Sequence, residues 1–141
     1  MDRAKLEQLC KTNPGIKKKK NGKIYVSNPV LYPEILKSKE QVELTKEAIE
    51  MLQVLLENLK VCLPCEDIED EKDCMGQAML DFLLYWRGFD PEKSSNPFAY
   101  FTSMGTNGLR KGWNALNVKK YKGEKIPKSL FTSLDNNIHT L

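Results

Sequence analysis

Histidine is almost missing from this chain: His139 is the only one in 141 residues. A paired-histidine metal motif is therefore excluded, and no nucleophile or carboxylate forms a recognisable catalytic arrangement with His139. A glycine-rich phosphate loop of the Walker type is also lacking. These absences make a non-enzyme the expectation. No run of about 18 apolar residues occurs, so no transmembrane helix is expected. The N-terminus lacks the apolar stretch of a signal peptide, which points to the cytosol. In that compartment Cys10, Cys62, Cys65 and Cys74 would stay reduced. Cys62-Leu63-Pro64-Cys65 has the spacing of a zinc or redox pair, but a structural zinc usually takes four ligands. Cys74, Cys10 and His139 make no second pair. No strand–helix alternation surrounds the motif either. The cysteines read as incidental thiols where a helix meets a loop, and neither a metal nor a cofactor is expected.

What is present is ordinary in amount and uneven in placement. Hydrophobic residues make up 40% and charged residues 29%, values of a soluble globular chain. The net charge of +3 conceals two opposed regions. Glu66, Asp67, Glu69, Asp70, Glu71, Asp73 and Asp81 face only Lys60 and Lys72 within residues 60–81. Arg110, Lys111, Lys119, Lys120, Lys122, Lys125 and Lys128 face only Glu124 within residues 110–128. A further run, Lys17 to Lys20, lies near the start. Such polarity suits a protein with a polyanion on one side and a basic or polar partner on the other. Solvated surface is the other reading.

The periodicities predict an all-α fold of one domain. Residues 2–10 form a short helix with Leu6 and Leu9 inward, broken at Thr12-Asn13-Pro14-Gly15. Lys17–Lys20 and Asn21-Gly22 read as an exposed loop, and Ile24-Tyr25-Val26 as an extended piece too short for a sheet. A helix is expected over Val30–Lys39, with Pro33 in its first turn. Thr45 caps the next, whose Ala48, Met51, Leu52, Leu55 and Leu59 stripe is widened by Val54 and Leu56, so it should be buried on more than one side. Pro64 ends it. The following helix starts near Asp70 or Asp73. Met75, Ala78, Met79, Phe82, Leu83, Trp86 and Phe89 are its expected inward face, with Asp73, Gln77, Asp81 and Leu84 opposite. Gly88 and Asp90-Pro91 close it. Asn96-Pro97 opens a last helix running to about Asn117. The expected organisation is a basic N-terminal arm (1–24), a compact helical domain (25–118), and a basic linker with a hydrophobic tail (119–141).

Function concentrates in the last helix. Phe98, Tyr100 and Phe101 occupy its first turns, and Gly105, Gly108 and Gly112 fall on one face. Each glycine costs about 1 kcal/mol of helix propensity relative to alanine. Three on one face imply close approach of another backbone, either a neighbouring helix or a nucleic-acid strand. Thr102, Thr106 and Asn107 add small polar groups; Arg110, Lys111 and Trp113 add charge and stacking area. Interleaved rings and cations suit single-stranded nucleic acid. Core packing of Phe98 and Phe101 is the competing reading, and the residues alone leave the two open.

The stretch Phe89-Asp90-Pro91 through Asn96-Pro97-Phe98-Ala99-Tyr100-Phe101-Thr102-Ser103 resembles the junction of regions 2.2 and 2.3 in bacterial sigma factors. It is most similar to that of the late-transcription sigma factors of T-even-type tailed phages. The resemblance covers about residues 25–118 and implies a compact sigma region 2-like fold. It also implies a function: binding the clamp coiled coil of host RNA polymerase core and directing it to a short −10-like late promoter element, in the cytoplasm of the infected bacterium. By the same resemblance Asp73, Gln77 and Asp81 form the polymerase-docking face. Phe98, Tyr100, Phe101 and Thr102 fall in the promoter-melting segment, and Asn107, Arg110, Lys111, Trp113 and Asn114 where promoter recognition sits. Two positions depart from the pattern: Met104-Gly105 stands where primary sigma factors carry paired tryptophans, and Gly76 replaces a polar docking residue. Too little chain follows residue 118 for a reader of the −35 element. In the phage family a C-terminal hydrophobic tail binds the DNA sliding clamp and takes that role, so the resemblance brings in a sliding clamp and a coactivator as further candidate partners. Leu130, Leu134, Ile138 and Leu141 make a stripe that could be such a tail, a linker into the polymerase cleft, or a segment packed on the core. A helical protein that only occupies the polymerase clamp and inhibits transcription is the alternative function, and a small zinc-stabilised DNA-binding module a third.

Overall fold

Asp2, Thr45, Asp67 and Asn96 each use a side-chain oxygen to accept a backbone N–H of the helix that follows, at 2.8–3.0 Å. These caps set where the chain turns helical. In the computed structural model, which describes residues 1–65 and 67–120, the elements are α1 (Arg3–Thr12), β1 (Lys17–Lys18), β2 (Ile24–Tyr25), α2 (Asn28–Gln41), α3 (Lys46–Leu59), α4 (Ile68–Tyr85) and α5 (Pro97–Lys120). Short 3-10 turns at Lys60–Cys62 and Trp86–Gly88 finish α3 and α4. The fold is all-α.

α3 lies at the centre. Ala48, Met51, Leu52, Val54, Leu55, Leu56 and Leu59 are all buried, as its all-round apolar sequence implies, and α2, α4 and α5 pack against it. Lys60, just past its end, bridges Glu57 at 2.6 Å and Glu71 at 3.1 Å, pinning the start of α4. α2 begins two residues earlier than the sequence implies, at Asn28. Pro33 therefore sits in its second turn rather than its first, and the backbone bond it cannot donate is lost there.

Residues 1–24, expected to be an arm, are folded onto this core. Leu9, Ile16 and Ile24 are buried, and so is Asn13. The Asn13 amide donates to the Glu47 carbonyl at 3.1 Å and to Glu50 at 3.2 Å, while its Oδ1 accepts from Gly15 N–H at 3.0 Å. One polar side chain thus fastens the Asn13-Pro14-Gly15 turn to α3. The lysine run beyond this turn belongs to a minimal hairpin, not a free loop: Lys17 pairs with Tyr25 and Lys18 with Ile24. Gly22 turns the chain at φ 91°, a conformation side-chain-bearing residues avoid.

α4 and α5 run antiparallel in the tightest pairing of the structure. A Cβ on Gly108 would lie 2.6 Å from Ala78 Cα, and one on Gly112 2.7 Å from Cys74 Cα. The glycine face of α5 is thus a helix seam, with backbone against backbone. Gly105 meets Leu56, Leu59 and Phe82 across the same line. Ala78, Phe82, Trp86 and Phe89 of the expected inward face are buried, but this seam turns α4 part-way from its expected phase. Its buried residues are Cys74, Ala78, Asp81 and Phe82; Met75 and Met79 are only partly buried, and Leu83 is exposed. Small residues on α4 face the glycines because only small residues allow that distance.

Candidate functional site

The rotation of α4 leaves an unusual surface. Leu80, Leu83, Leu84 and Tyr85 are 46–57% exposed, and Asp73 and Gly76, two turns and one turn before Leu80, are exposed beside them. Asp73, Gly76, Leu80, Leu83 and Leu84 follow one another at helical spacings, so they share the side of α4 that faces away from α5. Gln77 lies half-buried at its margin. Contiguous exposed leucines rimmed by polar groups mark a surface built to be covered.

Asp81 does not belong to that surface, which corrects the expected docking trio. It is 4% exposed and turned into the α4–α5 seam. Its Oδ1 accepts from Gln77 Nε2 at 3.1 Å, and its Oδ2 lies 2.7 Å from Lys111 Nζ. Removed from water, that carboxylate is satisfied by these two partners.

The nine nucleic-acid candidates on α5 divide by face. Phe101, Thr102 and Trp113 are interior, correcting their expected role as contact residues. Phe101 packs edge-on against Phe82 at 5.4 Å and Tyr100 at 5.2 Å. Trp113 is 4% exposed. Asn107, Lys111 and Asn114 are exposed, and Arg110 is half-buried. Tyr100 is part-buried, its hydroxyl donating to the Tyr85 carbonyl at 3.1 Å, and burial raises the pKa of its phenol. Phe98, half-buried, faces a different cleft.

Tyr100, Asn107 and Lys111 do come together. With Ser103 and Met104 of α5 and Tyr85 of α4 they line an open groove of about 590 Å³ along the helix pair. It offers two phenols, an amide, a hydroxyl, one ammonium and the Asp81 carboxylate. The Lys111 charge is partly matched by Asp81 below it, so the groove is better suited to bases and sugars than to a dense array of phosphates. Tyr85, Leu80 and the exposed setting of Leu83 went unforeseen from the sequence. The available signal was Cys74 and Ala78, four apart like Gly108 and Gly112, which mark a second stripe of small residues.

No protein-family model, curated protein or solved structure matches this chain. Among the described residues, no three His, Cys, Asp or Glu side chains gather as metal ligands, and no helix is long and apolar enough to cross a membrane. Cys65 lies against Cys74, whose thiol is buried and pushed up to about 12, first by burial and then by Cys65. Leu130, Leu134, Ile138 and Leu141 lie outside the described residues.

Proposed function

We propose that this chain is a phage-type late sigma factor: it docks on the clamp coiled coil of host RNA polymerase core through α4 and engages a short −10-like promoter element along α5. The observation that carries the reading is the outward face of α4, where exposed Leu80, Leu83 and Leu84 adjoin Asp73 and Gln77. An apolar centre with a polar rim is the composition of a protein interface. It lies on the helix that the sigma-like junction assigns to polymerase. The α4–α5 groove supports the second half, since Tyr100, Asn107 and Lys111 can meet unpaired bases at their edges and faces. With so little unmatched positive charge there, promoter binding depends on polymerase, and the protein alone holds duplex DNA weakly. Catalysis, metal and cofactor have no part in this scheme.

The test is a mixture of the protein with bacterial core polymerase, read by co-migration and by start-site-specific transcripts. Asp73→Lys combined with Leu80→Ser should weaken the complex by about tenfold or more, as for central interface residues. Stable exclusion from core polymerase would end the proposal, as would tight sequence-specific binding of duplex promoters by the protein alone. Burial of Phe101 and Trp113 favours one rival, a clamp-occupying inhibitor, because two of the expected stacking rings are withdrawn. Suppressed host transcription without new start sites would identify it.

A further inference from the structure

The lysine run near the N-terminus takes no part in polymerase docking or in the α5 groove, yet the fold gives it a definite place. The β1–β2 hairpin stands beside the first turn of α5, and between them lies a cleft of about 480 Å³. Lys19 and Lys23 stand at its hairpin side, Tyr25 and Phe98 supply half-buried rings, and Asn58 and Asn96 supply amides. Leu55 and Leu59 of α3 form an apolar floor. The volume is that of a small-ligand pocket, which typically spans about 300–1,000 Å³.

The cleft is held open by specific bonds. Asn28 donates to the Ser95 carbonyl at 3.0 Å and accepts from Phe98 N–H at 3.2 Å, fixing the start of α5 against the start of α2. Asn58 donates to the Ile24 carbonyl at 3.1 Å, fixing the hairpin against α3. Lys19 Nζ sits 5.2 Å from the centre of the Tyr25 ring. No acid occurs in the sequence between Glu7 and Glu34, and the cleft lining itself carries Lys19 and Lys23 with no carboxylate.

We infer that this cleft is a second nucleic-acid site, taking one unpaired base of a single strand against Tyr25 and Phe98 while Lys19 and Lys23 hold the flanking phosphates. Rings with an apolar floor call for a flat, partly apolar group; amides call for its polar edge; clustered ammoniums call for polyanion. A nucleotide in a single strand combines all three, whereas a duplex hides the faces of its bases. The site adjoins the groove on α5, because Phe98 lines the cleft and Ala99 and Tyr100 line the groove. A strand passing over the first turn of α5 can reach both. The inference rests on the nucleic-acid half of the proposed function and not on polymerase docking.

The experiment is fluorescence anisotropy of the full chain with short labelled oligonucleotides at low salt: single-stranded DNA, single-stranded RNA and duplex DNA. Both single strands should bind more tightly than duplex, and a difference between them shows whether the sugar is read. Tyr25→Leu should weaken single-strand binding about tenfold while Tyr25→Phe retains it, as loss of one stacked base requires. Lys19→Ala with Lys23→Ala, both exposed, should flatten the salt dependence by about two phosphate contacts. All cleft variants should bind core polymerase as before. Failure of the wild-type chain to bind any single strand overturns the nucleic-acid reading as a whole. Single-strand binding unchanged by the cleft variants but lost in Asn107→Ala with Lys111→Ala overturns the cleft alone.

Discussion

Val42 closes α2 with φ at 66°, the left-handed region in which a β-branched side chain is crowded. Arg87 donates to its carbonyl at 2.7 Å and helps hold it there. Its side chain is exposed and packs little, so Val42→Gly should raise stability by about 1 kcal/mol, measured by chemical denaturation. Cys74 makes a second prediction through its proton. Burial and then Cys65 raise its thiol from an ordinary 9.0 to about 12, so the folded protein prefers the neutral form. A raised value in the folded state stabilises fully below the unfolded value and is lost as pH climbs toward the folded one. The window is therefore about pH 9 to 12. Across it, wild type should lose stability more steeply than Cys74→Ala by up to one proton's worth of slope, and thiol reagents at neutral pH should reach Cys10 before Cys74.

Elements were legible where one face decided everything. α3 is apolar nearly all round, and a helix of that kind has only one place to go. Its cap at Thr45 and its burial followed from residues 45–59. α4 was harder, because two stripes compete on it. Met75, Met79, Phe82 and Leu83, with Ala78 among them, suggest one inward face, and the small pair Cys74 and Ala78 another. Close backbone approach prevailed over side-chain volume, a choice that depends on Gly108 and Gly112 some thirty residues away. The same distance dependence hid Asp81 and Trp113, whose burial is settled by the facing helix. Gly108→Ala should accordingly destabilise the protein although alanine is the better helix former. Overpacking against Ala78 costs about 1–3 kcal/mol against about 1 kcal/mol of propensity regained, so the net loss is smaller in a urea titration. Leu80→Ser and Leu84→Ser, on the outward face, should leave that titration within about 0.5 kcal/mol of wild type.

For the whole molecule, composition and period sufficed for the all-α class, while the extent of the folded unit did not follow from them. The lysine run suggested an arm, yet Leu9, Ile16 and Ile24 complete the core and Asn13 bonds two residues of α3. A run of basic residues says nothing of its neighbours, and here a buried isoleucine lies on either side of it. A chain lacking residues 1–24 should therefore lose its cooperative thermal transition, or melt well below the full chain, when followed by circular dichroism. Loss of three buried aliphatic side chains alone approaches the marginal stability of a domain of this size.

The seam between α4 and α5 has a mechanical consequence. Two helices that meet through side chains can shift by a rotamer; two that meet with Ala78 and Cys74 seated on Gly108 and Gly112 have no such play. Such close seating ties the two helices together. A partner that grips the leucines on one side thereby aims Tyr100, Asn107 and Lys111 on the other, with the tolerance of a backbone contact. Under the proposed function, placement of the α4–α5 groove would be inherited from the grip on α4.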